Sequence, residues 1–138
     1  MYKSPQKPQI AELSWSGVSN AESYTYSLSI DQKTTNFISI NNGTDAQLQS
    51  GHYYCIAYPD YTRTAQYNNQ IYWFIDGIQT GSVGGSDHFN QESTDNAEAT
   101  FTLLSGGILT LQQTAWSGTG SVITMTSHCK ALIWRIPL

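Results

Sequence analysis

The stretch A-E-A-T-F-T-L-L-S-G-G-I-L-T-L, residues 97–111, decides the fold. Two β-favouring runs, Ala99–Leu104 and Ile108–Leu111, flank Ser105-Gly106-Gly107. Short turns containing glycine between such runs are hairpin signals, because glycine takes positive φ at little steric cost. On the first strand Phe101 and Leu103 share one face, and Thr100 and Thr102 share the other. A lone hairpin is marginal, so further strands must cover its apolar face.

The surrounding sequence supplies those strands. Ile10–Trp15 ends at a Ser16-Gly17 turn, and Tyr24–Ile30 alternates with Tyr24, Tyr26, Leu28 and Ile30 on one face. Phe37–Ile40 is closed by Asn41-Asn42-Gly43-Thr44, a strong turn signal. Strands are also expected over His52–Tyr58, Ile71–Ile75, Ile78–Val83, around Val122–Thr126 and over Ala131–Ile136. No segment shows a helical apolar repeat. The reading is therefore all-β: an antiparallel two-sheet sandwich over residues 10–138, preceded by an extended arm, residues 1–9, in which Pro5 and Pro8 block regular pairing.

Composition narrows the function. The 138 residues suit one domain with a real core, and 39% hydrophobic with only 12% charged residues suits strands whose outward positions are hydroxyls and amides. A net charge of −4 with six scattered basic residues argues against a nucleic-acid partner. Nothing reaches the apolar length of a membrane span, and the polar, proline-containing start does not resemble a secretory signal. That start points to synthesis in a cytoplasm. Cys55 and Cys129 are expected to be reduced, buried thiols rather than one bridge.

Two strands are apolar on both faces. In the segment 53–58, Tyr53, Cys55 and Ala57 are opposed by Tyr54, Ile56 and Tyr58. In the last strand, Leu132, Trp134 and Ile136 are opposed by Ala131 and Ile133. A sheet apolar on both sides buries its second face against another subunit or beneath a loop or arm, and oligomerisation is the reading adopted.

The run TFTLLSGGILTL, with GHYYCIAY before it and ALIWRIPL at the end, resembles the tumour-necrosis-factor-like and complement-globular-head jelly roll. Phe101, Leu103, Gly106, Leu109 and Leu111 match that family's hairpin; Gly51, Tyr53 and Tyr54 match its aromatic strand; Leu132–Ile136 match its terminal strand. Gly107 stands where the family usually has Asp, so this turn is expected to be held differently. The resemblance implies a homotrimer packed through the inner sheets. By position it puts Tyr54, Ile56, Tyr58, Thr100 and Ile133 at the trimer interface, and Tyr53, Cys55, Phe101, Leu103, Leu132 and Trp134 in the core. The sequence also looks like versions of this jelly roll found in phage virions. With no collagen-like stretch or heptads before the head, the resemblance implies a non-enzymatic decoration or cement protein on the outer capsid surface, its partner the major capsid protein. The alternative is the receptor-binding head of a tail fibre, its partner a host glycan or protein.

No constellation for catalysis, cofactor or metal stands out. No Gly-x-Ser-x-Gly elbow is present, and strand alternation puts His128 and Cys129, and likewise His52 and Cys55, on opposite faces. Asp87, Glu92, Asp95 and Glu98 lack the spacing of a calcium loop and read as solvated. Asn42-Gly43-Thr44 is formally a glycosylation sequon as well as a turn. The aromatics Tyr61, Tyr67 and Trp116, placed in or beside loops, are the candidate ligand or partner contacts.

Overall fold

Every regular element in the computed structural model, which describes residues 7–19, 23–62, 67–85, 95–118, 123–125 and 127–138, is a β-strand. In chain order the first are β1 (Gln9–Ser16), β2 (Val18–Ser19), β3 (Tyr24–Thr25), β4 (Ser27–Lys33), β5 (Ile38–Asn41), β6 (Asp45–Leu48) and β7 (Gly51–Tyr58). There follow β8 (Tyr61–Thr62), β9 (Tyr67–Ile75), β10 (Ile78–Gly84), β11 (Ala97–Leu103), β12 (Gly107–Gly118), β13 (Ile123–Met125) and β14 (Lys130–Ile136).

One sheet runs β4-β1-β14-β7-β11, and the other runs β9-β12-β6-β5 with β3 paired beside β12. All pairings are antiparallel. A small separate sheet joins β2, β13 and β8. Strand β10 links the two large sheets: Ile78 to Thr80 pair with β9, Ser82 pairs with Glu98 of β11, and Gly84 returns to Ile71. The crossover needs Gly81, whose φ is +79 and where a Cβ would overlap the Glu98 carbonyl oxygen.

The expected strand over Tyr24–Ile30 is divided between the sheets. Its first part, β3, pairs with β12, its second part, β4, pairs with β1, and the Tyr26 N–H donates to the Leu111 carbonyl at 2.9 Å. Tyr26 and Leu28 are buried and Tyr24 and Ile30 pack against the same core, so the period-two face survives the switch. Trp15, Trp73, Tyr26, Phe37, Leu109 and Leu111 fill the space between the sheets. The buried indoles keep hydrogen-bond partners: Trp15 Nε1 donates to the Lys130 carbonyl at 2.9 Å and Trp73 Nε1 to the Ala97 carbonyl at 3.0 Å.

Strand β14 reverses the expected assignment of its faces. Ile133 is 0% exposed in the core, whereas Trp134 is 45% exposed on the outside. Ile133 pairs with Cys55, and directly opposed residues of an antiparallel ladder share a face. Ile133 therefore leaves the proposed interface set, and Leu132 and Trp134 leave the core set. Arg135 completes the inward row, because the sheet end gives its guanidinium acceptors. Nε and Nη2 donate to the Ser50 carbonyl at 2.9 and 2.6 Å, and Nη1 donates to Gln9 Oε1 at 2.6 Å. The ring of Phe37 lies 6.0 Å from the guanidinium carbon.

Candidate functional site

The outward face of the β1-β14-β7-β11 sheet is the candidate site. Alternation along β7 turns Tyr53, Cys55 and Ala57 inward and leaves His52, Tyr54, Ile56 and Tyr58 outward. Register then assembles the face. Tyr54 stands between Trp134 and Thr100, Ile56 between Leu132 and Glu98, and Tyr58 opposite Lys130. On β1, Ile10 lies opposite Trp134, Glu12 opposite Leu132 and Ser14 opposite Lys130. The centre is apolar, built from Ile10, Trp134, Tyr54, Leu132 and Ile56. Trp134 is 45% exposed there, and Ile56 is buried among its neighbours at 8%.

The margin is polar. At one edge Lys130 Nζ donates to Ser14 Oγ at 2.7 Å and to Asp31 Oδ2 at 3.3 Å, while Ser14 Oγ donates to the same carboxylate at 2.7 Å. The Ser14 hydroxyl first, with help from Lys130, holds the Asp31 carboxyl below its ordinary range. Across the sheet, desolvation and then the neighbouring Glu98 carboxylate push the Tyr54 phenol up. At the third margin His52 Nδ1 lies 2.9 Å from Thr102 Oγ1. An apolar centre with a hydrogen-bonded rim is the anatomy of a protein–protein interface.

Of the expected interface residues, Tyr54, Ile56, Tyr58 and Thr100 lie on this face together, and Ile133 does not. Trp134, Leu132 and Ile10 join them. The alternation in ALIWRIPL marks one face of β14 but not which side of the sheet it takes. The other candidates do not converge. Tyr67 and Trp116 fall on strands rather than loops, on one ladder where Tyr67 pairs with Gly118 and Trp116 with Asn69. Tyr61 falls on β8 in the small sheet, opposite Met125. Asp87 and Glu92 lie outside the described residues.

The groups that carry chemistry elsewhere are tied to structure here. Cys55 is fully buried, and that burial drives its thiol up and out of the reactive range. Cys129 Sγ donates to the Asp60 carbonyl at 2.9 Å and accepts the Asp60 N–H at 3.2 Å. Both cysteines are unbridged.

Neither a family profile nor a curated protein matches the sequence. Solved structures do match the fold. Crystal structures of murine APRIL at pH 8.0 and pH 8.5 each superpose with a TM-score of 0.62 at 12% identity, over 94% of this chain and 100% of theirs. The murine APRIL structure at pH 5.0 gives a TM-score of 0.61 at 13% identity over the same shares. The fold is a tumour-necrosis-factor-like jelly roll. In this jelly roll the Gly107 position is supported from the neighbouring hairpin: Asp76 Oδ1 accepts the Ile108 N–H at 2.9 Å, and the Asp76 N–H donates to the Ile108 carbonyl at 2.9 Å. The different brace expected from Gly107 is therefore the Asp76 carboxylate.

Proposed function

We propose that three copies of this chain pack through the outward face of the β1-β14-β7-β11 sheet into a homotrimer. We propose further that the trimer is a non-enzymatic structural protein of a phage virion, decorating the outer surface of its capsid. The observation that carries the first step is the outward apolar row of Ile10, Trp134, Tyr54, Leu132 and Ile56, in which Trp134 is 45% exposed. Removing that area from water is worth about 25 cal/mol per Å². The ordered rim of Ser14, Asp31 and Lys130 supplies orientation rather than much affinity, since exposed ion pairs contribute little.

The virion role rests on the resemblance of the sequence to phage jelly rolls, joined to a face suited to self-association. Cyclic symmetry points all three copies the same way along the axis, so a trimer presents three equal attachment surfaces to a lattice. Binding the assembled shell and not its free subunits would stabilise the shell by mass action. The experiment adds purified protein to undecorated shells and measures their disruption temperature, which the proposal expects to rise. An unchanged temperature contradicts the decoration role. The receptor-head alternative rests on the same resemblance. It predicts saturable binding to host surface glycan that Trp116→Ala abolishes.

A further inference from the structure

Two hairpin turns share nearly the same backbone and differ in what holds their first residue. Asn42 and Gly43, with φ of +55 and +73, form the tip between β5 and β6, which the Thr44 N–H closes by donating to the Asn41 carbonyl at 3.3 Å. Asp76 and Gly77, with φ of +49 and +80, form the tip between β9 and β10. Both pairs are exposed, and a Cβ at either glycine would meet nothing within 4 Å. Asp76 is held: its carboxylate accepts the Ile108 N–H and its own N–H donates to the Ile108 carbonyl. Among the described residues, nothing hydrogen-bonds the Asn42 side-chain amide or the Gly43 N–H.

From this contrast we infer that Asn42 is a site of spontaneous covalent modification, losing its side-chain amide through a cyclic imide with Gly43, and that the matching β9-β10 turn is protected. The Gly43 nitrogen attacks Asn42 Cγ. The N–Cγ bond forms, the nitrogen's proton passes to the departing amide, and ammonia leaves. Water then opens the imide. Cleavage of the new N–Cγ bond leaves aspartate in the original backbone, and cleavage at the Asn42 backbone carbonyl leaves isoaspartate, with the chain rerouted through the side chain. The turn itself selects the reactants, because positive φ at both central positions favours Asn followed by Gly. Closure needs Cγ to swing onto the next nitrogen. An exposed and unheld side chain can do so, whereas one pinned to the amide of another strand must first give up that bond. The product matters to the fold. The Gly43 carbonyl accepts the Leu28 N–H at 2.8 Å, joining β4 of one sheet to the β5-β6 turn of the other. Isoaspartate inserts one extra backbone carbon just before Gly43 and displaces that carbonyl, while aspartate leaves it in place and adds a negative charge. None of this depends on how copies of the chain assemble.

The test uses the whole chain and its Asp76→Asn variant, which sets an Asn-Gly pair in the second turn while keeping a side-chain oxygen able to accept from Ile108. Both proteins are held at mildly alkaline pH, folded and in urea. Peptide mass spectrometry follows the exchange of amide for hydroxyl at each position, and isoaspartyl methyltransferase scores the isoaspartate. In urea the two Asn-Gly pairs are expected to convert at similar rates. In the folded variant Asn42 should convert severalfold faster than the amide introduced at position 76, and in the folded parent chain Asn42 should convert ahead of every other asparagine. The isoaspartate fraction, separated by ion exchange, should unfold at a lower urea concentration than Asn42→Asp. Equal conversion at the two turns of the folded variant overturns the inference. So does an Asn42 that stays intact in the folded parent chain over a period that converts it in urea.

Discussion

The carboxylate of Asp76 accepts the backbone N–H of Ile108 at 2.9 Å, tying the β9-β10 turn to the start of β12. The backbone of Asp76 bonds back to the same residue, so each turn fixes the other. Gly106, with φ +88 and the Leu48 carbonyl oxygen 2.6 Å from where a Cβ would sit, completes a turn that carries no side-chain brace of its own. Asp76→Ala should destabilise the protein by about 1 kcal/mol, the cost of leaving one amide without its partner. Urea unfolding checks this, and oligomeric mass should stay unchanged because Asp76 lies in the β9-β10 turn and bonds to β12 of the other sheet.

Ile133 and Trp134 are neighbours with opposite jobs. Ile133→Ala opens a cavity in a fully buried site and should cost about 2–5 kcal/mol of folding stability. Trp134→Ala removes a ring that is 45% exposed in the single chain and should cost the fold of the single chain less than about 1 kcal/mol while weakening self-association. Denaturant titration and sedimentation of the two variants separate these effects. The opposite pattern would restore the reverse orientation of β14.

Burial pushes the Tyr53 phenol up to about 12, against the pull of the Arg135 guanidinium beside it. An unfolded tyrosine titrates near 10, so below that value both states are protonated and the burial of Tyr53 contributes in full. Between about 10 and about 12 only the unfolded chain releases the proton, and stability falls as pH rises. Tyr53→Phe should flatten that part of the fall. Urea midpoints of the two proteins, taken from about pH 9 to about pH 12, measure the difference.

The thiols should be silent in the folded state. Cys55 has its thiol driven up by burial, and Cys129 is enclosed by both backbone groups of Asp60. A thiol-reactive dye is expected to label neither cysteine in native buffer and both in denaturant. Rapid native labelling at either site would contradict the packing described.

Much of the fold was legible because strands announce themselves by period. The hairpin at residues 97–111, the two-faced β7 and the turn at Asn42-Gly43 all follow from alternation and turn chemistry. Strand β6, short and half polar, gave no such signal, and β12 extends past Leu111 through the polar Gln112-Gln113-Thr114 run. Gln113 is 0% exposed there, accepting from the Asn69 amide at 3.2 Å and the Tyr26 hydroxyl at 3.4 Å. A buried asparagine–glutamine pair of this kind is invisible without its partners. The faces of β14 were misread for a related reason. The resemblance places Leu132 and Trp134 in the core by position, and alternation along β14 does not say which of its two apolar rows faces inward. The buried Arg135 is possible only because Ser50 and Gln9 converge on it from distant parts of the chain.

The central claim is that the outward face joins copies of this chain, and the native mass of the purified protein tests it most directly. The trimer predicts three times the 15.3 kDa chain mass. Thr100→Arg, an exposed substitution that leaves the core untouched, should reduce that mass to the single chain by placing a charge in the interface. Ile56→Asp should act in the same direction. A single-chain mass for the unmodified protein, at concentrations where the fold is intact, would contradict the account.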